Sequence, residues 1–186
     1  MKAILATALV LLSTYALAED DALVAETKRK ALEIPPKLLA MVQEEINNGN
    51  LDGAIAACRD KAPKMAAAAS QATGWEIRRV SLKNRNPKAT PDDWERAALH
   101  DFDRRAAMGE SLATIEKSEI ITIDGKRTLR YMKALPSQQI CLGCHGKSEQ
   151  LSLEVKAKLK DLYPADQAIG YSDGQIRGAL TVKRQL

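Results

Sequence analysis

The stretch from residue 120 to residue 145 is IITIDGKRTLRYMKALPSQQICLGCH. Its segments 120–123 and 128–134 are rich in strand-forming residues, and Asp124-Gly125 lies between them. Because Asp-Gly tolerates positive φ at both central positions of a tight turn, this stretch predicts a β-hairpin. A segment with two cysteines follows the hairpin directly.

Two further strands are predicted on either side of this stretch. Residues 75–82 alternate apolar and polar with period two, apart from a slip at Arg78-Arg79 that a β-bulge could absorb. Residues 178–182, near the end of the chain, also have the composition of a strand.

Other stretches have helical periodicity, and most carry a start or stop signal. They are 20–47, which Pro35-Pro36 should kink or split; 51–58; 65–72, ending at Gly74; a helix from N-cap Thr90, with Pro91 at its first position, to about Met108; and 151–162, stopped by Tyr163-Pro164. Helices combined with an antiparallel sheet predict an α+β domain.

The first residues, MKAILATALVLLSTYALAED, have the features of a secretory signal peptide. A Lys is followed by a short apolar run, and Ala16-Leu17-Ala18 precedes an acidic pair. We therefore expect residues 1–18 to be a signal peptide, 19–48 a helical N-terminal region and 49–186 the main domain. The mature protein is expected to be periplasmic or otherwise exported, without stable membrane insertion.

The charge balance limits the partners that the protein can have. The chain has 28 Lys and Arg against 24 Asp and Glu, a net charge of +4. Loss of residues 1–18, which hold one Lys and no acidic residue, leaves +3. This excess is too small to predict nucleic-acid binding, but it suits an acidic redox partner protein.

The residues Cys141-Leu142-Gly143-Cys144-His145 form the C-x-x-C-H attachment pattern of c-type haem. The two thiols can each add to one vinyl group, and the adjacent imidazole can bind the iron. The alternatives are a redox dithiol and half of a zinc site. Zinc would need a second ligand pair, whereas the remaining Cys58 and His100 are isolated. We therefore predict one covalent haem c, with His145 as an axial ligand.

Cys58 is the third cysteine and a candidate for the second axial ligand. Leu51, Ala54, Ile55 and Cys58 lie at i, i+3, i+4 and i+7, so Cys58 is expected to point inward with its apolar neighbours. A lone Cys on such a face is more often a small buried apolar residue than a ligand. The other candidate ligands are His100, Met65, Met108 and Met132.

Arg85 and Asn86 precede a predicted helix and could bind a haem propionate through charge-assisted hydrogen bonds. The alternative for both is a capped surface loop. Arg177 has the same ambiguity. Asp92, Asp93 and Glu95 fit best as acidic residues that complement the helix dipole.

Several of these segments occur in an order that resembles a known family of single-haem c-type proteins with a PAS-like fold, catalogued as a domain of unknown function. The resemblance covers about residues 50 to 185. The segments are Arg78-Arg79-Val80-Ser81, Arg85-Asn86-Pro87, Pro91-Asp92-Asp93-Trp94-Glu95, Cys141-Leu142-Gly143-Cys144-His145-Gly146, Tyr163-Pro164-Ala165-Asp166, Gly170-Tyr171 and Arg177-Gly178.

The resemblance implies an antiparallel sheet flanked by helices and a low-spin iron ligated by His and Cys, at the positions of His145 and Cys58. The roles proposed for the family are redox sensing and small-gas sensing. Fold analogy alone does not establish a role.

Three functions follow from these observations. The first is sensing of redox state or of a diatomic gas, with a separate sensor or transmitter protein as partner. The second is simple electron transfer at low potential, because a thiolate stabilises ferric iron. The third is a haem enzyme acting on a small sulfur or nitrogen species. We expect no enzyme, since the sequence offers no clear acid–base group near the haem motif.

Overall fold

The computed structural model describes residues 19–186. The expected signal peptide, 1–18, lies outside the described residues. Among the described residues, no helix is long and apolar enough to cross a membrane.

Between residues 19 and 186, several consecutive helices precede the first of four strands, and further helices lie between the strands. The helices are α1 (19–31), α2 (Ile34–Asn47), α3 (Leu51–Ala56), a π-turn (Ala57–Lys61), α4 (Ala62–Thr73), α5 (Asp93–Ala107), α6 (Leu142–His145) and α7 (Leu153–Leu162), and the strands are β1 (Glu76–Val80), β2 (Glu116–Ile123), β3 (Lys126–Pro136) and β4 (Ile176–Gln185). The expected α+β class, with an antiparallel sheet flanked by helices and a helical N-terminal region, is confirmed.

The sheet has the order β1-β4-β3-β2, and every neighbouring pair is antiparallel. The predicted hairpin joins β2 to β3, and φ is 51° at Asp124 and 76° at Gly125. The predicted tight turn is therefore confirmed. β3 is central, and residues 128–134 are all buried because both faces of the sheet are covered.

One face of the sheet packs against α5, where Val80, Phe102 and Met132 belong to one apolar cluster. The other face packs against the N-terminal helices, where Ala31 of α1 joins Ile77 of β1 in a second cluster. Apolar residues at 77 and 80 thus face opposite sides of a sheet that is buried on both.

The β-bulge that could have absorbed the slip at Arg78-Arg79 is not present in β1. The register of β1 on β4 is continuous, with Arg78 opposite Thr181 and Arg79 opposite Leu180. The apparent slip arises because β1 packs on both of its faces, so strict alternation of polar and apolar residues is not required.

The predicted N-cap of α5 is also wrong by two residues. Asp92 is the N-cap: its carboxylate accepts from the backbone N–H of Glu95, and the carboxylate of Glu95 accepts from the N–H of Asp92. This reciprocal capping box satisfies two N–H groups at once. The hydroxyl of Thr90 instead donates to the carbonyl of Pro87.

The double proline has the expected effect, because α1 ends at residue 31 and Pro35 and Pro36 lie in the first turn of α2. α4 ends as predicted at Gly74, which has φ of 72°.

Candidate haem-binding site

The C-x-x-C-H segment lies between β3 and α7. Residues 139–141 form a short 3-10 turn that leads into α6, which ends at His145. Cys141 and Cys144 are both free thiols and half-buried. Their spacing on a helical turn places them on neighbouring positions of one face. Cys144 packs against the apolar cluster of Leu151, Val155 and Leu159.

His145 is held in one tautomer. Its side chain is buried, and its Nδ1–H donates to the carbonyl oxygen of Ala168 over 2.7 Å. Because a carbonyl oxygen only accepts, Nδ1 carries the proton and Nε2 carries a lone pair. Burial, followed by the positive charges of Arg177 and Arg85, holds the pKa of His145 well below its usual range. A neutral imidazole with an unprotonated Nε2 is the form that binds a metal.

Arg85 organises the loop that holds His145. Its Nε donates to Oδ2 of Asp166 over 2.9 Å, and one Nη donates to the carbonyl of Cys144 over 2.7 Å. The other carboxylate oxygen of Asp166 accepts from the N–H of Ala168 over 2.8 Å. The ion pair thus fixes both the end of α6 and the carbonyl that receives the Nδ1–H of His145.

Arg85 and Asn86 therefore have protein partners in this structure. The side-chain oxygen of Asn86 accepts from the N–H of Lys88 over 2.9 Å and caps a 3-10 turn. This contact favours the capped-loop alternative for Asn86. The contacts of Arg85 indicate a supporting role toward His145 rather than a free guanidinium.

Two other arginines lie at the site. Arg177 of β4 donates from Nη1 to Nε2 of His145 over 3.1 Å. Arg79 of β1 donates from Nη2 to the carbonyl of Arg177 over 3.1 Å. Sequence reasoning raised Arg177 but did not single out Arg79. The sequence feature that could have identified Arg79 is its position inside a predicted strand, where the alternation of apolar and polar residues is interrupted.

Cys58 does not point inward, and the expectation that it does is wrong. Cys58 is exposed, while Ala57 is completely buried. Cys58 lies in the π-turn, in which the N–H of Ala62 bonds to the carbonyl of Ala57, five residues back. This turn departs from the regular helical spacing on which the expectation rests.

Cys58 nevertheless lies near the C-x-x-C-H segment. Burial raises the pKa of Cys144, and the charge of Cys58 contributes to that rise, so the two thiols are within electrostatic reach of each other. Leu51 of α3 also packs against the same α7 cluster as Cys144. The helix that carries Cys58 therefore borders the site.

The other candidate ligands have different positions. His100 is exposed on α5, and Met108, at the end of α5, is 78% exposed. Met132 is completely buried in the cluster with α5, and Met65 is half-buried on α4. In the part of the chain from residue 19 onward, no group of three or more His, Cys, Asp or Glu residues is placed to hold a metal ion.

The donor set of the site fits a haem of the c type. Two free thiols stand in attachment spacing, and the adjacent imidazole presents Nε2 in its neutral form. The α+β fold and this donor set together are those of a small haem-binding protein.

The comparisons with known proteins agree with this class. The model of the Tll0287-like family matches residues 10–184, and the chain belongs to that family. The crystal structure of the cyanobacterial haem protein Tll0287 is similar, with a TM-score of 0.65 and 26% sequence identity, over 86% of this chain and 95% of that chain. The comparison with curated proteins found no match. The expected membership of a haem-protein family is thus confirmed.

Proposed function

We propose that this chain binds one haem, attached covalently through thioethers to Cys141 and Cys144, with His145 as an axial ligand. The observation that carries this proposal is the hydrogen bond from Nδ1 of His145 to Ala168, which leaves Nε2 as the ligating atom beside two free thiols. The similarity to a haem protein of known structure supports it. When bound, the haem supplies a one-electron redox centre.

Cys58 is proposed as the second axial ligand in the ferric state. Its thiol is accessible, and Leu51 of the helix that leads to it packs on the same apolar cluster as Cys144. π-turns inside helices are frequent at functional sites, and Cys58 lies in one. Soft thiolate ligands are established iron ligands in haem proteins.

The proposed role is sensing of redox state or of a diatomic gas. The π-turn with Cys58 is continuous with α3 and α4, and α4 continues directly into the turn before β1. A ligand change at Cys58 would therefore act on the helices that cover one face of the sheet. A separate sensor or transmitter protein would receive the signal.

A simple electron carrier is the alternative. The rigid support of His145 by Ala168 and by the Arg85–Asp166 ion pair favours it, because a fixed ligand lowers the reorganisation that accompanies electron transfer. The partner would then be a redox protein. An enzymatic role is less well supported, since the carboxylate of Asp166 is engaged by Arg85.

Residues 1–18 are proposed to direct export, with cleavage after Ala18. Attachment of c-type haem takes place outside the cytoplasm, so the C-x-x-C-H segment and the export signal support each other. The mature protein would be periplasmic or otherwise exported.

The proposal is tested on protein produced with a cytochrome c maturation system. Haem stain should remain with the polypeptide on a denaturing gel, and the matched variant Cys141→Ala/Cys144→Ala should lose it. Ferrous spectra with and without carbon monoxide then separate the two roles. Ready displacement of a ligand supports sensing, whereas unchanged six-coordinate spectra support the carrier. Haem that is extracted by acid-acetone would contradict covalent attachment.

A further inference from the structure

Arg79 and Arg177 form a pair of guanidinium groups on adjacent strands beside His145. Arg79 lies in β1 and Arg177 in β4, and Nη2 of Arg79 donates to the carbonyl of Arg177. The Nε atoms of both residues are buried and have no hydrogen-bond partner among the described residues. Two strong donors therefore remain unpaired at the site.

The two arginines also lack a counter-charge within residues 19–186. Neither forms an ion pair with a carboxylate there, whereas the neighbouring Arg78 is paired with Glu95 over 2.6 Å on the other face of the sheet. Both side chains are half-buried with their Nε atoms out of water, and desolvating a guanidinium without an anion is unfavourable, more so beside a like charge. Burial, followed by the charge of Arg177, lowers the pKa of Arg79 to about 9.

A pair of this kind is suited to an anion with several oxygen acceptors. A guanidinium group presents parallel N–H donors that match a carboxylate, and such charge-assisted bonds are among the strongest in proteins. Arg177 already reaches the Nε2 atom of His145, at 3.1 Å. An anion bound by Arg177 would therefore lie beside Nε2 of His145.

We propose that Arg79 and Arg177 bind the propionate carboxylates of the haem. This inference rests on the proposed function, because it assigns the haem to the site defined by His145. It places the carboxylate contacts on β1 and β4 of the sheet, instead of on the loop at Arg85 and Asn86.

The inference has a consequence for Arg177. In the present structure its Nη1 donates to the lone pair of Nε2, and the same lone pair cannot also bind iron. When His145 acts as a ligand, Arg177 therefore loses its hydrogen bond to Nε2 and donates to a propionate carboxylate instead. Arg79, which contacts only the backbone carbonyl of Arg177 among the described hydrogen bonds, can keep that contact.

The test uses the holoprotein and the variants Arg79→Gln and Arg177→Gln. Resonance Raman spectra should show the propionate bending bands shifted toward weaker hydrogen bonding. The reduction potential should fall, because a positive charge near the haem destabilises ferric iron. Arg104→Gln is the matched control: Arg104 is 70% exposed on α5, so its loss should leave the bands unchanged.

Arg79→Lys and Arg177→Lys provide a second set, which keeps the charge if the Gln variants do not fold. Lys is a single point donor, so the propionate bands should still shift while the potential stays near that of the wild type. If a set of variants folds with haem attached and its propionate bands are the same as those of the wild type, the inference is overturned and the proposed function stays intact. Failure of the wild type to attach haem would instead refute the proposed function.

Discussion

Arg85 and Asp166 form an ion pair of 2.9 Å, and their side chains are only 13% and 11% exposed. The residues are far apart in sequence, yet together they fix the carbonyl of Ala168 that receives the Nδ1–H of His145. The pair is therefore a support for the axial ligand as well as a link between two loops.

Asp166→Asn should reduce the free energy of unfolding by about 3 to 5 kcal/mol, because it leaves a largely buried guanidinium without its partner. The reduction potential should rise. A less firmly held Ala168 carbonyl forms a weaker hydrogen bond with the Nδ1–H of His145, which makes Nε2 a weaker electron donor to the iron. Denaturant unfolding and spectroelectrochemistry measure the two effects. Glu110→Gln, which breaks the more exposed pair with Arg105, is the control and should reduce the free energy of unfolding far less. Equal losses in the two variants would contradict the supporting role.

His145→Ala should abolish the native low-spin spectrum while haem stays attached. Attachment uses the thiols of Cys141 and Cys144, and ligation uses Nε2, so the two properties separate. Optical spectra and haem staining of the same sample measure both. A spectrum identical to that of the wild type would show that another residue is the ligand.

Cys58→Ser should remove the thiolate signature from the ferric electron paramagnetic resonance spectrum and raise the reduction potential, since an anionic sulfur stabilises ferric iron. His100→Ala is the control, because His100 is exposed on α5. It should leave both properties as they are. If Cys58→Ser also leaves them unchanged, Cys58 is not an axial ligand.

Glu95→Gln should destabilise the fold without changing the haem spectra. Glu95 is completely buried, is paired with Arg78 at 2.6 Å and Arg130 at 3.2 Å, and accepts from Thr181. Loss of its charge should cost about 3 to 5 kcal/mol, measured by denaturant unfolding. Asp93→Asn, in the same turn but exposed, should change the free energy of unfolding by less than about 0.5 kcal/mol. A small effect at Glu95 would mean that the buried network contributes little.

Asp92 makes stability depend on acid pH. Burial by itself raises the pKa of Asp92, but the N–H of Glu95 and the guanidinium of Arg130 outweigh it, so the net pKa is lowered. A carboxyl with a lowered folded pKa stabilises the protein above its unfolded pKa of about 3.9, and this contribution is lost as pH falls through the folded value. Asp92→Asn should therefore be less stable than wild type at pH 7, with the difference narrowing below about pH 4. A difference that is constant from pH 7 to pH 3 would refute this origin.

Local sequence determined the features that depend on a few adjacent residues. The turn at Asp124-Gly125 follows from the backbone freedom of those two residues, and the end of α4 follows from Gly74. The C-x-x-C-H segment likewise contains its thiols and its imidazole within five residues, so its chemistry could be predicted without a fold.

Features that join distant segments could not be predicted in this way. Cys58 is exposed although its spacing from Leu51 and Ala54 predicted a buried position, and it lies in a π-turn that the local pattern does not predict. The role of Arg85 depends on its pairing with Asp166. The two residues are 81 positions apart, so the sequence alone does not show that they pair. The sheet brings Arg79 and Arg177 together because β1 pairs with β4, the last strand of the chain.

The physical reason for this division is the range of the interactions concerned. Turn geometry, helix ends and thioether spacing are fixed by torsion angles and covalent lengths over a few residues. The partner of a buried charge is fixed by which strands are neighbours. Arg78 and Arg79 have the same side chain and are adjacent in the sequence, but the sheet directs one toward the carboxylate of Glu95 and the other toward His145, where Arg177 lies.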